Sequence, residues 1–117
     1  MSTPICRLED IPVGSSKGFS LGVAANPADF FIVRMSEEHL YAYRNNCPHT
    51  GMPLEWQPDQ FLDLTGRYIV CGIHGALFRP EDGVCISGPC VRRRLQALAL
   101  EVRDGWVSLS DQALSAV

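Results

Sequence analysis

Leu98-Ala99-Leu100-Glu101-Val102-Arg103-Asp104-Gly105-Trp106-Val107-Ser108-Leu109 is the stretch that decides the fold class. Leu98, Leu100 and Val102 alternate with other residues on one side of Asp104-Gly105, and Val107 and Leu109 do so on the other. A period of two places alternate side chains on one face of a strand, and Asp-Gly favours the positive φ angles of a two-residue hairpin turn. Working outward, short runs rich in branched and aromatic residues recur: Ile5 to Leu8, Phe19 to Val23, Phe30 to Met35, Leu40 to Arg44, Tyr68 to Cys71, Ala76 to Arg79 and Trp106 to Leu109. Ser36-Glu37-Glu38 and Pro80-Glu81-Asp82-Gly83 read as reversals between them, and Pro12 to Gly18 as a flexible surface loop. Helical periodicity is weak, with at most a last turn or a frayed end over Asp111 to Val117. The expected class is all-β.

A length of 117 residues with 46% hydrophobic content suits one domain over 1–117, enough for one modest core. No apolar run is long enough to cross a bilayer, so no membrane partner is expected. Met1 to Arg7 carries neither the basic start nor the apolar stretch of an export signal, so a cytoplasmic protein is expected. The net charge of -3 argues against nucleic acid, which requires concentrated positive charge. Five cysteines are an odd number, and a disulfide framework is not expected in a cytoplasmic chain. Cys6 reads as core, and Cys85 and Cys90 read as buried thiols in preference to a disulfide or redox pair.

Two segments stand apart, Cys47-Pro48-His49-Thr50-Gly51 and Cys71-Gly72-Ile73-His74-Gly75. Each joins one cysteine to one histidine on a glycine-bearing loop. Two soft sulfurs and two imidazole nitrogens suit either a tetrahedral metal or a mixed-ligand iron–sulfur cluster. A zinc knuckle favours wider ligand spacing than Cys-x-His, whereas two separate irons let one loop clamp both metals. Gly51, Gly72 and Gly75 permit unusual backbone angles, while Pro48, Pro53 and Pro89 stiffen the loops.

From about Asn46 to Leu95 the chain resembles the Rieske family, through this double motif together with Asp82-Gly83 and Ser87-Gly88-Pro89. The resemblance implies an antiparallel Rieske β-sandwich with a small inserted cluster-binding subdomain over about 45–89. It also implies one [2Fe-2S] cluster per chain, with Cys47 and Cys71 on the inner iron, His49 and His74 on the outer iron, and Ser87-Gly88-Pro89 as a third, shielding loop. High-potential members carry an extra disulfide and hydroxyl donors to sulfur. Met52 and Ile73 stand where those cysteines would be, and Ala76 and Phe78 where those hydroxyls would be. The expected potential is therefore ferredoxin-like, at the low end of the roughly -150 to +300 mV Rieske range. The stretch between His49 and Cys71 is longer than in compact Rieske ferredoxins; its excess around Trp56 to Asp63 reads as an extended loop that docks a partner or packs Trp56 and Phe61 inward.

The remaining candidates have plainer readings. His39 is expected at the surface, Arg92-Arg93-Arg94 as a solvated face more than a docking patch, and Tyr41 and Tyr43 as packing residues. No catalytic set can be picked out, and the chain is too short for a second, mononuclear iron domain, so no independent enzyme is expected. The resemblance implies a soluble one-electron carrier passing electrons from a reductase to a terminal oxygenase. The alternatives are an accessory protein resembling the small subunit of a nitrite reductase, and a zinc-stabilised interaction module.

Overall fold

The computed structural model describes residues 2–19, 30–46, 54, 59–72, 75–88 and 92–110. The described residues are nearly all β and every strand pairing is antiparallel, in agreement with the expected class.

β1 (Ser2–Arg7), β2 (Ser15–Phe19), β3 (Phe30–Arg34), β4 (Leu40–Arg44), β5 (Ile69–Val70), β6 (Leu77–Phe78), β7 (Cys85–Ser87), β8 (Ala97–Leu98), β9 (Leu100–Arg103) and β10 (Trp106–Ser110) form three sheets. Their orders are β1-β10-β9, β2-β3-β4-β8 and β5-β6-β7. A short 3-10 turn, Leu8–Asp10, follows β1.

β3 explains the layering. Phe30-Phe31-Ile32-Val33 is apolar without a break, and all four are fully buried, because each face of the strand meets a different core. Phe30 and Ile32 join Cys6, Ile11, Ala42, Leu98, Val107 and Leu109 on the side of the β1-β10-β9 sheet. Phe31 and Val33 join Tyr43, Leu54, Phe61, Ile69, Phe78 and Leu95 on the side of the β5-β6-β7 sheet. The middle sheet is thus covered on both faces, and its two apolar sets alternate along one strand.

Arg34, at the end of β3, is buried and replaces water by protein carbonyls. Its guanidinium donates to Leu8 O at 3.2 Å, Ile11 O at 3.1 Å and Glu37 O at 3.1 Å, tying the 3-10 turn to the β3–β4 reversal. Burying a cation in this way is tolerable only because its donors are matched.

The hairpin at Asp104-Gly105 has positive φ at both turn residues, 53° and 79°, as its sequence demands. The reversals at Ser36 to Glu38 and Pro80 to Gly83 are present, as is the core position of Cys6.

Three readings change. Pro12 to Gly18 is not loop throughout, because Ser15 to Gly18 belongs to β2, where ladder bonds to β3 order a polar run of weak strand character. Leu98 to Val102 is not one strand: the chain passes from the middle sheet to the outer one at Ala99, and Val102, on edge strand β9, is 45% exposed. Cys85–Ser87 is a strand that alternation does not reveal, since Cys85 is buried while Ile86 and Ser87 are exposed. Residues 20–23 of the expected second strand, and Asp111 to Val117, lie outside the described residues.

Candidate metal centre

Cys71 follows β5 directly and is fully buried. Its surroundings are apolar: Leu54, Phe61, Ile69, Ala76 and Phe78 belong to the same core. The chain turns back at once. Cys71 N–H donates to Ala76 O at 2.9 Å, and Gly75 N–H donates to Cys71 O at 2.8 Å, with Gly75 at φ +67°. A side chain at position 75 would strain this left-handed turn. The loop from Cys71 to Ala76 is therefore closed tightly at its neck, with β6 starting one residue later.

The first cysteine-histidine segment is bracketed by Asn45 and Leu54. The buried Asn45 accepts at Oδ1 from Leu54 N–H at 2.7 Å. Leu54 O in turn accepts from Gly72 N–H at 2.8 Å. One residue, Leu54, thus links the bracket of the first segment to the second loop through its N–H on one side and its C=O on the other.

The third segment arrives from β7. Gly88 has φ +104°, and a Cβ built on it would lie 2.8 Å from Ala76 Cα. Only glycine allows so close an approach of two backbones. β5 ends, β6 begins and β7 ends at the same edge of their sheet, so Cys71, Ala76 and Gly88 converge there.

A cleft beside Cys71 is lined by Asp63, Leu64, Val70, Gly72 and Gly75. Leu64 is almost fully exposed at its rim. The turn that carries it is held by Asp63, whose Oδ1 accepts from the Thr65 hydroxyl at 2.7 Å and from the N–H groups of Arg67 and Tyr68. Burial pushes the Asp63 carboxyl upward, but these hydrogen bonds outweigh it and hold the group below the usual carboxylate range.

Of the four expected ligands, Cys71 is described; Cys47, His49 and His74 lie outside the described residues, as do Met52, Pro53, Trp56, Ile73, Pro89 and Cys90. Among the described residues no group of three or more histidine, cysteine or acidic side chains comes together. Ala76 and Phe78 are fully buried and bring no hydroxyl to the site. Cys85 is buried, and its Sγ donates to Ser87 O at 3.2 Å, in keeping with a buried thiol. His39 is exposed and shares a 2.6 Å hydrogen bond with the Ser36 hydroxyl. Arg92, Arg93 and Arg94 are exposed as expected, but along an irregular turn, with Arg94 bridged to Val84.

Of the two roles open to the extended loop, docking a partner or packing inward, Phe61 takes the second. Phe61 docks no partner, because it is fully buried against Phe31. Asp59 to Phe61 is stitched to β2: Ser16 Oγ donates to Asp59 O at 2.7 Å, Asp59 Oδ1 accepts from Gly18 N–H at 2.8 Å, and Ser16 Oγ accepts from Phe61 N–H at 3.1 Å. In the sequence Asn45 marks only the start of the expected 45–89 subdomain, and Leu54 has no assigned role there. The available signal was a carboxamide placed two residues before a Cys-x-His pair, where a short polar side chain can close a loop.

Residues 1–103 match the Rieske [2Fe-2S] domain family, and the chain belongs to it. The cofactor of that family is a [2Fe-2S] cluster, and a buried cysteine at the mouth of a glycine-bearing loop, in a sequence with two sulfur and two imidazole donors, fits it. The fold is similar to the ferredoxin of carbazole 1,9a-dioxygenase from Nocardioides aromaticivorans IC177, with TM-score 0.71 at 19% identity over 94% of this chain and 97% of that one. It is also similar to the Sphingomonas yanoikuyae B1 ferredoxin, with TM-score 0.71 at 20% identity over 95% and 99%. A chain in a complex of reduced oxygenase and oxidized ferredoxin of carbazole 1,9a-dioxygenase gives TM-score 0.69 at 24% identity over 93% and 92%. No curated protein sequence matches the chain. Among the described residues no helix is long and apolar enough to cross a membrane.

Proposed function

We propose that this chain is a soluble, cytoplasmic one-electron carrier, a ferredoxin component that passes electrons from a reductase to a terminal oxygenase or similar acceptor. Cys47, His49, Cys71 and His74 are its cluster ligands, held in a subdomain over about 45–89. The observation that carries this reading is the meeting of Cys71, Leu54, Ala76 and Gly88 at one edge of the β5-β6-β7 sheet, inside a chain of the Rieske family. The cluster, when bound, supplies reversible one-electron chemistry at the histidine-ligated iron.

The chain's own residues prepare that chemistry. The closed Cys71 to Ala76 loop restricts movement of a ligand between redox states, and the apolar core beneath Cys71 keeps water away from the sulfur side. Ala76 and Phe78 offer no hydroxyl, which leaves electron density on the sulfurs and favours a midpoint below 0 mV, within the roughly -150 to +300 mV Rieske range. The ferredoxin–oxygenase complex among the structural relatives supports an oxygenase as the type of acceptor.

The test is iron and acid-labile sulfide analysis of anaerobically purified protein, followed by redox titration. Two irons and two sulfides per chain are expected, with both lost in Cys71→Ser and His49→Ala. Zinc without sulfide would overturn the reading in favour of a zinc-stabilised module, and a midpoint well above 0 mV would overturn the low-potential assignment.

A further inference from the structure

The structure assigns to Asn45 a positioning role: its carboxamide, through the backbone of Leu54, holds the Cys47/His49 segment in fixed register with the Cys71/His74 loop. The inference rests on the ligand assignment proposed above.

Asn45 follows β4, is only 8% exposed, and stands two residues before Cys47. Its Oδ1 receives the Leu54 N–H at 2.7 Å, so the two ends of the segment carrying Cys47 and His49 are pinned to each other. The second loop is tied to the same residue, because Leu54 O receives Gly72 N–H at 2.8 Å, directly beside Cys71. The Leu54 side chain is fully buried in the core that holds Phe61, Ile69 and Cys71, so the linking residue is itself anchored. Removing the Asn45 acceptor would leave the buried Leu54 N–H unpaired, which frees one end of the segment while the Leu54–Gly72 bond remains.

A site that draws two ligands from each of two loops requires those loops to keep their separation. Within either loop, chain geometry limits the spacing of its cysteine and histidine. Between the loops nothing covalent and local does so, and the Asn45–Leu54–Gly72 series is a direct link of the two segments through described residues. Positioning groups behind a metal's ligands usually alter affinity, and alter the electronic properties of the centre, without touching the metal.

The test compares the holoprotein with Asn45→Leu, which keeps volume and removes the acceptor, and Asn45→Asp, which keeps an oxygen at the same place. Cluster half-life under an iron chelator, the reduced-state electron paramagnetic resonance spectrum and the midpoint potential are measured, with far-ultraviolet circular dichroism to follow the sheets. Asn45→Leu is expected to shorten the half-life by about 10- to 100-fold and to broaden or shift the resonance, with the β spectrum retained. Asn45→Asp is expected to restore most of the half-life. Wild-type lifetime and spectrum in Asn45→Leu would overturn the role, and so would failure of Asn45→Asp to improve on Asn45→Leu. A wild-type protein that holds no iron and sulfide would refute the proposed function instead, so the two failures are distinguishable. Should Asn45→Leu not fold, the Asn45→Asp comparison with wild type decides: a half-life as short as about one-tenth of wild type overturns the role, and a lifetime near wild type supports it.

Discussion

The ring of Phe61 stacks on that of Phe31 with centroids 4.3 Å apart and planes 8° from parallel. Phe31 belongs to the middle sheet and Phe61 to the stretch between the two cysteine-histidine segments, so this pair joins the body of the domain to the site. Phe61→Ala is expected to destabilise the fold by about 3 to 5 kcal/mol, the range for emptying a fully buried aromatic position. Phe61→Leu should cost clearly less. Urea unfolding of both variants, with the linear-extrapolation slope held in view, checks the order.

Tyr43 crosses the same core and donates its hydroxyl to Pro80 O, a buried carbonyl. Its ring packs where a side chain on Gly83 would go, since a Cβ there would lie 2.7 Å from Tyr43 Cε1. Tyr43→Phe should cost about 1 to 2 kcal/mol through the unpaired acceptor. Burial first, then the nearby charges of Asp82, Tyr41 and Glu81, push the phenol well above its ordinary value.

A pH dependence follows from that phenol. Below the unfolded value of about 10 it is neutral in both states and its contribution is fully present. Above about 10 the unfolded chain releases a proton that the folded chain keeps, so stability falls by about 1.4 kcal/mol per pH unit until the folded value is passed. Unfolding measured from pH 9 to 11 should show the advantage of wild type over Tyr43→Phe shrinking as pH rises. An advantage that stays constant or widens would contradict this.

Gly88 brings the third segment onto Ala76 with no room for a methyl group. Gly88→Ala must displace backbone and also adopt a positive φ, at an expected cost of about 1 to 3 kcal/mol. The cluster should become more labile to chelator and oxygen, which a bleaching time course would show. Gly66, with open space around it, is the control: Gly66→Ala carries φ strain without the collision and should leave bleaching unchanged.

Arg92 is exposed and held at φ +79°, where a side chain is disfavoured. Arg92→Gly should raise stability by a few tenths to about 1 kcal/mol, the relief of strain being partly offset by greater freedom of the unfolded chain. Arg94→Gly, at a position bridged to Val84, should lower it. Thermal unfolding midpoints of the pair decide the sign.

Much of the fold was legible because local rules set it. Asp104-Gly105 specifies a two-residue hairpin through backbone angles, and the branched and aromatic run of Phe30 to Met35 marks a strand, whose burial on both faces only the two cores reveal. Ser15 to Gly18 and Cys85–Ser87 were not legible, since their strand character comes from ladder bonds to distant partners and not from alternation. Phe61 could be read equally as a docking side chain or a packed one until its partner Phe31 was in view.

By itself the sequence determined the all-β class and the two cysteine-histidine segments, because each of these is written in residue type and short spacing. Tertiary structure alone decided that β8 and β9 part at Ala99 into different sheets, that Asp59 to Phe61 closes onto β2, and that Asn45, Leu54 and Gly72 line up between the two segments. Those relationships depend on which backbone donor meets which acceptor across the core, and no local pattern of residues encodes that meeting.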